Sequence, residues 1–273
     1  MTPASPFRPG GQYFAPLLGV IAVAIVAGLA SFYMLGRQDA PADPEPVVEA
    51  SAFSVTPRPA DEPPPPVPLP PLADSDALVR DLVSALTAHS AVAAWLIPDQ
   101  LVRLFVLAVE NLADGNNPSA RLTPLRPTQR FQTTGDPSQP SIDPASYARY
   151  NTHAEIVASI DPVGAASLYR RLYPLITEAY AELGHPDGGF DDTLRRALEN
   201  LLRTPVLERD VTLVPRAAFF EFADPELEAL LPVQKQFLGM GPRNVRAVQA
   251  SVRDIARELG VAPSVLPTPV VVR

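Results

Sequence analysis

The chain has no cysteine among its 273 residues, which excludes disulfide frameworks, thiolate metal sites and cysteine nucleophiles. Lysine is nearly missing as well. Lys235 is the only one, so the basic side chains are otherwise arginines. Together with the abundant alanine and proline, this is the residue usage of a GC-rich bacterial genome. Histidine occurs only as His89, His153 and His185, and none has a second histidine three or four residues away, so no helical ligand pair exists. The patterns G-x-S-x-G, G-x-x-x-x-G-K-[ST] and G-x-G-x-x-G do not occur, which removes the common nucleophile elbow, P-loop and dinucleotide fingerprint. No cofactor or metal is expected, and no catalytic residue is assigned.

Basic charge is also short. Of the net −8, residues 1–36 carry +1 and residues 37–72 carry −4, leaving −5 on residues 73–273. A general nucleic-acid binder needs a basic face to displace counterions, and this domain lacks the charge for one.

What is present first is a long apolar run. Phe14 to Leu35, FAPLLGVIAVAIVAGLASFYML, has no charged residue over twenty-two positions. A helix needs roughly twenty such residues to cross a hydrocarbon core of about 30 Å. Tyr13, Phe14, Phe32 and Tyr33 stand where interfacial aromatics would anchor it. The run therefore predicts a single-pass, uncleaved signal anchor in contact with the lipid bilayer. A cleaved signal peptide ending near Gly28-Leu29-Ala30 is the rival, but the apolar run continues past it. Arg8 against Arg37 is nearly a tie for orientation. The acidic, proline-rich continuation favours the N-terminus inside and the domain outside, in the periplasm of an inner-membrane protein. Ala24-x-x-x-Gly28 and Ala27-x-x-x-Ser31 are small-xxx-small spacings that would allow two such helices to dimerise.

The organisation that follows is a short tail over 1–13, the transmembrane helix over 14–35, a linker over 36–72, a helical domain over 73–260 and a tail over 261–273. The linker holds twelve prolines between Gln38 and Leu72, including Pro63 to Pro66. Proline removes backbone donors and fixes φ, so this segment is expected to be a disordered, partly polyproline II spacer. Docking of an SH3-like partner is the alternative reading of the same prolines.

From residue 74 onward a helical period dominates. Leu78, Val79, Leu82, Val83 and Leu86 repeat at three and four behind Asp74 or Ser75 as cap. Asp99 is expected to open a helix through Leu112, ended by Gly115. Asp143-Pro144, Asp161-Pro162 and Asp224-Pro225 each place a capping carboxylate before a proline at the first helical position. The longest helix is predicted over Pro162–Leu183, with Ala165, Leu172, Ile176 and Leu183 on its buried face and Tyr169, Tyr173 and Tyr180 along the edge. Further helices fit Asp191–Arg203, Pro225–Leu231, Pro232–Leu238 and Pro242–Leu259. Short strands or extended loops fit Arg130–Thr134, Val211–Val214 and Phe219–Phe222. The expectation is an all-α, multi-helix domain of about seven to nine helices with little β structure. The tail Val261–Arg273 is left open.

Several runs occur together in order: Leu69-Pro-Pro-Leu-Ala-Asp-Ser-Asp, Phe105-Val-Leu-Ala-Val-Glu-Asn-Leu, Asp143-Pro-Ala-Ser-Tyr-Ala-Arg-Tyr, Leu168-Tyr-Arg-Arg-Leu-Tyr-Pro-Leu, Tyr180-Ala-Glu-Leu-Gly-His-Pro-Asp-Gly and Gln234-Lys-Gln-Phe-Leu-Gly-Met-Gly-Pro-Arg-Asn. Over about residues 69–260 the chain resembles the bacterial domain-of-unknown-function family 3014. The resemblance implies the anchor, linker and domain layout, and supplies no activity.

Four features bear on function. The loop His185-Pro-Asp-Gly-Gly-Phe-Asp-Asp192 gathers an imidazole and three carboxylates, which would suit an acid–base pair or a metal, or simply a turn between helices. Glu221, Asp224, Glu226 and Glu228 also cluster, as a helix N-terminus favours. Leu238-Gly-Met-Gly-Pro-Arg-Asn resembles a helix-hairpin-helix turn, with Arg243, Arg246 and Arg253 near it; a purely structural glycine turn needs the same residues. Finally, Trp95, Tyr147, Tyr150, Tyr169, Tyr173 and Tyr180 would line an interaction groove, with Arg149, Arg170 and Arg171 at its rim. The leading expectation is a non-enzymatic interaction or structural module in the bacterial envelope, binding a protein or an envelope component. An envelope enzyme with an irregular acidic site at 185–192 is the alternative, and a nucleic-acid contact near 238–246 a lesser one.

Overall fold

In a computed structural model, residues 68–118, 127, 129–217 and 219–273 are described. The expected span Phe14–Leu35, its small-xxx-small spacings and all of the linker before Pro68 lie outside the described residues. Among the described residues no helix is long and apolar enough to cross a membrane.

A single 3-10 turn at Leu72–Asp74 leads into α1 (Asp76–Ser84). There follow α2 (Val92–Trp95), α3 (Leu101–Ala113), α4 (Pro144–Ala148), α5 (Asn151–Ala158), α6 (Pro162–Glu182), α7 (Phe190–Leu202), α8 (Pro225–Glu228), α9 (Pro232–Leu238) and α10 (Pro242–Glu258). These are ten helices among the described residues, three of them only four or five residues long. The domain is mainly helical, as the periodicity requires. Strands form three two-stranded pairs. β1 (Thr133–Thr134) and β2 (Ser141–Ile142) are antiparallel, as are β4 (Leu213–Pro215) and β5 (Phe220–Phe222). β3 (Val206–Leu207) runs parallel to β6 (Val271–Val272). The tail after residue 260 is therefore built into the domain: Val261 and Leu266 pack on the core, and Arg253 Nη2 donates to the Pro267 carbonyl at 3.1 Å.

The main core is organised around α3. Leu101, Val102, Phe105, Val106, Ala108, Val109 and Leu112 are all buried, more than one helical face can supply, so α3 is enclosed by α1, α6 and α7. α10 closes the other side, against α5, α6 and α7. Each fully buried Leu, Val or Phe side chain contributes roughly 1.5–3 kcal/mol of transfer free energy. A smaller core of Ile142, Leu207, Val211, Leu213, Phe222, Leu227 and Leu238 sits beneath the strands.

The three Asp-Pro starts behave as expected. Asp143 accepts from the Ala145 amide at 2.8 Å, Asp161 from Gly164 at 2.8 Å, and Asp224 from Glu226 at 2.9 Å. The first two helices differ from expectation. Ser75 turns its hydroxyl back to the Leu72 carbonyl at 2.8 Å instead of capping α1. Asp99 does not open α3. Gln100 takes that place at φ 60°, and the carboxylate serving it comes from α1: Asp76 accepts from the Gln100 amide at 2.7 Å and from Leu101 at 2.8 Å. Asp99 instead pairs with Arg80 at 3.1 Å, while Arg80 also donates to the Leu96 and Pro98 carbonyls. Leu183, expected on the buried face of α6, is 41% exposed, because the helix ends at Glu182 and the chain turns away through Gly184 at φ 103°.

Asp76→Ala is expected to lower stability by about 1 kcal/mol or more, since it strips two amides at the start of α3, whereas Asp99→Ala stays within about 0.5 kcal/mol. Chemical denaturation of the two variants checks the ranking.

Candidate functional site

The residues expected to form one groove separate into two clusters. Trp95, Tyr150, Tyr169 and Tyr180 lie in the hydrophobic core, Tyr147 and Tyr173 are half-buried, and Arg170 is exposed. A groove lined by all seven is therefore not formed. The rings could move inward because their polar tips found partners, which removes the penalty of burying a phenol.

The first cluster joins α6 to the turn before α7. Gly188 and Gly189 take φ 83° and 88°, which only glycine adopts without strain, and bring α7 back against α6. Asp191, in the first turn of α7, accepts from Tyr169 Oη at 2.6 Å and from Tyr173 Oη at 3.0 Å. Burial, with the Asp191 carboxylate second, pushes the Tyr169 phenol far above its ordinary range, so it serves as a fixed donor. Two turns beyond Tyr173 along α6, the Tyr180 hydroxyl shares a 2.9 Å hydrogen bond with Thr193. The His185 ring stacks on Tyr180 at 4.3 Å between centroids, and its Nε2 lies 2.7 Å from Glu110 Oε1 on α3. The imidazole thus meets a carboxylate from a different helix, not Asp187, Asp191 or Asp192. Glu110 was missed because its only sequence signal is one acidic residue in a mostly apolar helix.

The second cluster gathers around α4 and the start of α5. The His153 ring stands 5.6 Å from Trp95 and 6.0 Å from Tyr150, and Gln236 Nε2 donates to Tyr150 Oη at 3.3 Å. Arg149, expected at a rim, is only 8% exposed. Its Nε donates to the Ser146 carbonyl at 2.9 Å and its Nη1 to the Gln129 carbonyl at 3.2 Å. The guanidinium carbon lies 5.5 Å from the Phe131 ring centroid and 5.3 Å from that of Tyr150, close enough for cation–π attraction. Burial pushes the Tyr147 and Tyr150 phenols up to about 12.

The remaining expected features are structural. In the turn after α9, Gly239, Met240 and Gly241 donate their amides to the Lys235, Phe237 and Leu238 carbonyls. Amides spent in this way are not offered to a phosphate. A Cβ at Gly241 would stand 2.5 Å from the Tyr147 ring, so this glycine allows close packing. Arg243 pairs with Glu155 and Arg246 with Glu208, which offsets part of the local positive charge. Glu221, Asp224 and Glu228 pair with Arg216, Arg209 and Lys235. His89 accepts from the Ala91 amide at 3.3 Å, as a capping histidine does. Among the described residues no three His, Asp or Glu side chains gather as a metal site.

Asp191→Ala leaves two phenols without an acceptor and is expected to cost roughly 1–3 kcal/mol, more than Asp192→Ala, whose carboxylate meets Arg195 at the surface. Thermal unfolding checks the order. Unfolded tyrosines ionise near pH 10, while buried Tyr147 stays neutral to about 12. Its contribution is thus fully present below pH 10 and lost as pH rises towards 12. Tyr147→Phe should therefore lose less stability over that interval than the wild-type chain in alkaline denaturation.

No curated protein and no solved structure matches the chain. A family model described as "Protein of unknown function (DUF3014)" matches residues 101–256, a span running from the first residue of α3 nearly to the end of α10. The chain belongs to the DUF3014 family.

Proposed function

We propose that the protein is a single-pass inner-membrane protein of the bacterial envelope, whose helical domain stands in the periplasm and acts as a binding module for a protein or envelope component. The apolar run Phe14–Leu35 and the proline-rich linker support the anchored layout. The observation that carries the non-enzymatic reading is the engagement of the 185–192 loop. Asp191 is held by two tyrosine hydroxyls and His185 by Glu110 and Tyr180. The groups best suited to acid–base work thus brace α3, α6 and α7 against one another. General acid–base catalysis needs a group free to reach a substrate proton, and both Asp191 carboxylate oxygens are taken by the two phenols.

The absence of cysteine makes one experiment direct. Full-length chain carrying Gln139→Cys, at an exposed turn, should react with a membrane-impermeant maleimide in intact spheroplasts. Reaction only after lysis reverses the orientation. In the same cells, crosslinked partners should be recovered equally with wild type and with a His185→Gln, Asp191→Asn variant that remains folded. A turnover of envelope substrates that wild type shows and this folded variant lacks overturns the binding-module reading.

A further inference from the structure

Arg149 is the most unusual group in the domain. It is 8% exposed, and among the described residues no carboxylate lies within ion-pair distance of it. The phenol beside it supplies no negative charge at neutral pH, because burial holds Tyr150 protonated up to about 12. A buried guanidinium is ordinarily paired, since desolvating a charge without a counter-charge is costly.

Its donors are unequally used. Nε is anchored at 2.9 Å to the Ser146 carbonyl within α4. Nη1 reaches only a neutral backbone carbonyl, Gln129, at 3.2 Å, longer than the 2.7–2.9 Å usual for a charged donor to an anionic oxygen. Nη2 is buried and has no hydrogen-bond partner among the described residues. The two Nη groups form the end-on fork of the guanidinium, which is the edge that takes a carboxylate through two parallel hydrogen bonds. The Phe131 and Tyr150 rings lie close to the guanidinium, at 5.5 and 5.3 Å. That setting favours an acceptor lying in the plane of the fork. Among the described residues beside it, Gln129, Arg130 and Gln132 are exposed. The segment is pinned at Gln132, by the Ser146 hydroxyl at 2.7 and 2.8 Å, so Gln129 can lift without undoing that pin.

We propose that Arg149 is the receptor of a carboxylate-binding site, in which a ligand or partner carboxylate displaces the Gln129 carbonyl and takes both Nη groups.

The probe is acetate, exchanged for chloride at constant ionic strength, with thermal unfolding of the full-length chain in detergent as readout. Acetate should raise Tm saturably, by roughly 5 °C at a hundredfold excess over its Kd. Arg149→Met, which keeps the packing between the two rings, should lose the response, while exposed Arg170→Met keeps it. Equal effects of acetate and chloride, or an Arg149→Met chain that responds as wild type does, overturn the site. Should Arg149→Met fail to unfold cooperatively, the wild-type ranking decides: acetate ahead of chloride and phosphate supports the site, and phosphate first overturns the carboxylate assignment.

Discussion

The architecture rests on enclosing a helix that has almost no polar side to show to water. α3 buries residues around most of its circumference, so it must be wrapped, and α1, α6 and α7 are the elements that wrap it. Wrapping also hides its first amides, which then need acceptors from inside the protein. Asp76 provides them from α1, and Arg80, one turn on in the same helix, holds the approach through the Leu96 and Pro98 carbonyls. The hydrophobic demand of one helix thus sets the position of its neighbour, and the polar contacts follow from it.

The same logic explains the tyrosines. A long amphipathic helix with Tyr169, Tyr173 and Tyr180 on one side reads as edged by amphipathic side chains. The protein buries two of them nearly completely by supplying Asp191 and Thr193 from the next helix. The motif that most resembled chemistry, an imidazole among carboxylates, is divided between this brace and a contact to α3. Among the described residues, a buried guanidinium nitrogen without a hydrogen-bond partner lies elsewhere, at Arg149.

Local rules were legible in the sequence where the cause is local. The Asp-Pro starts at 143, 161 and 224, the glycine turns at 184 and 241 and the 3.6-residue period of α6 and α10 are all short-range signals, and the helices fall where those signals point. The misses share a different physics. Asp76 serves Gln100 across 24 residues, Glu110 meets His185 across 75, and Val206 pairs with Val271 across 65. No spacing rule announces such partners. Arg149 was read in the sequence as a groove-rim residue beside Arg170 and Arg171, because its distinction is that no acid among the described residues pairs with it in three dimensions.

The parallel pairing of β3 with β6 has a consequence for biosynthesis. Helices α3, α6 and α7 are complete once residue 202 has been made, so the centre of the domain can collapse while the chain is still being extended. Val206 and Leu207, however, find their ladder partners only in the last residues described. Until those residues emerge, β3 presents an unpaired apolar edge, of the sort that invites pairing with another chain. The C-terminal strand is therefore the clasp that closes this edge, and it is made last of all the described elements.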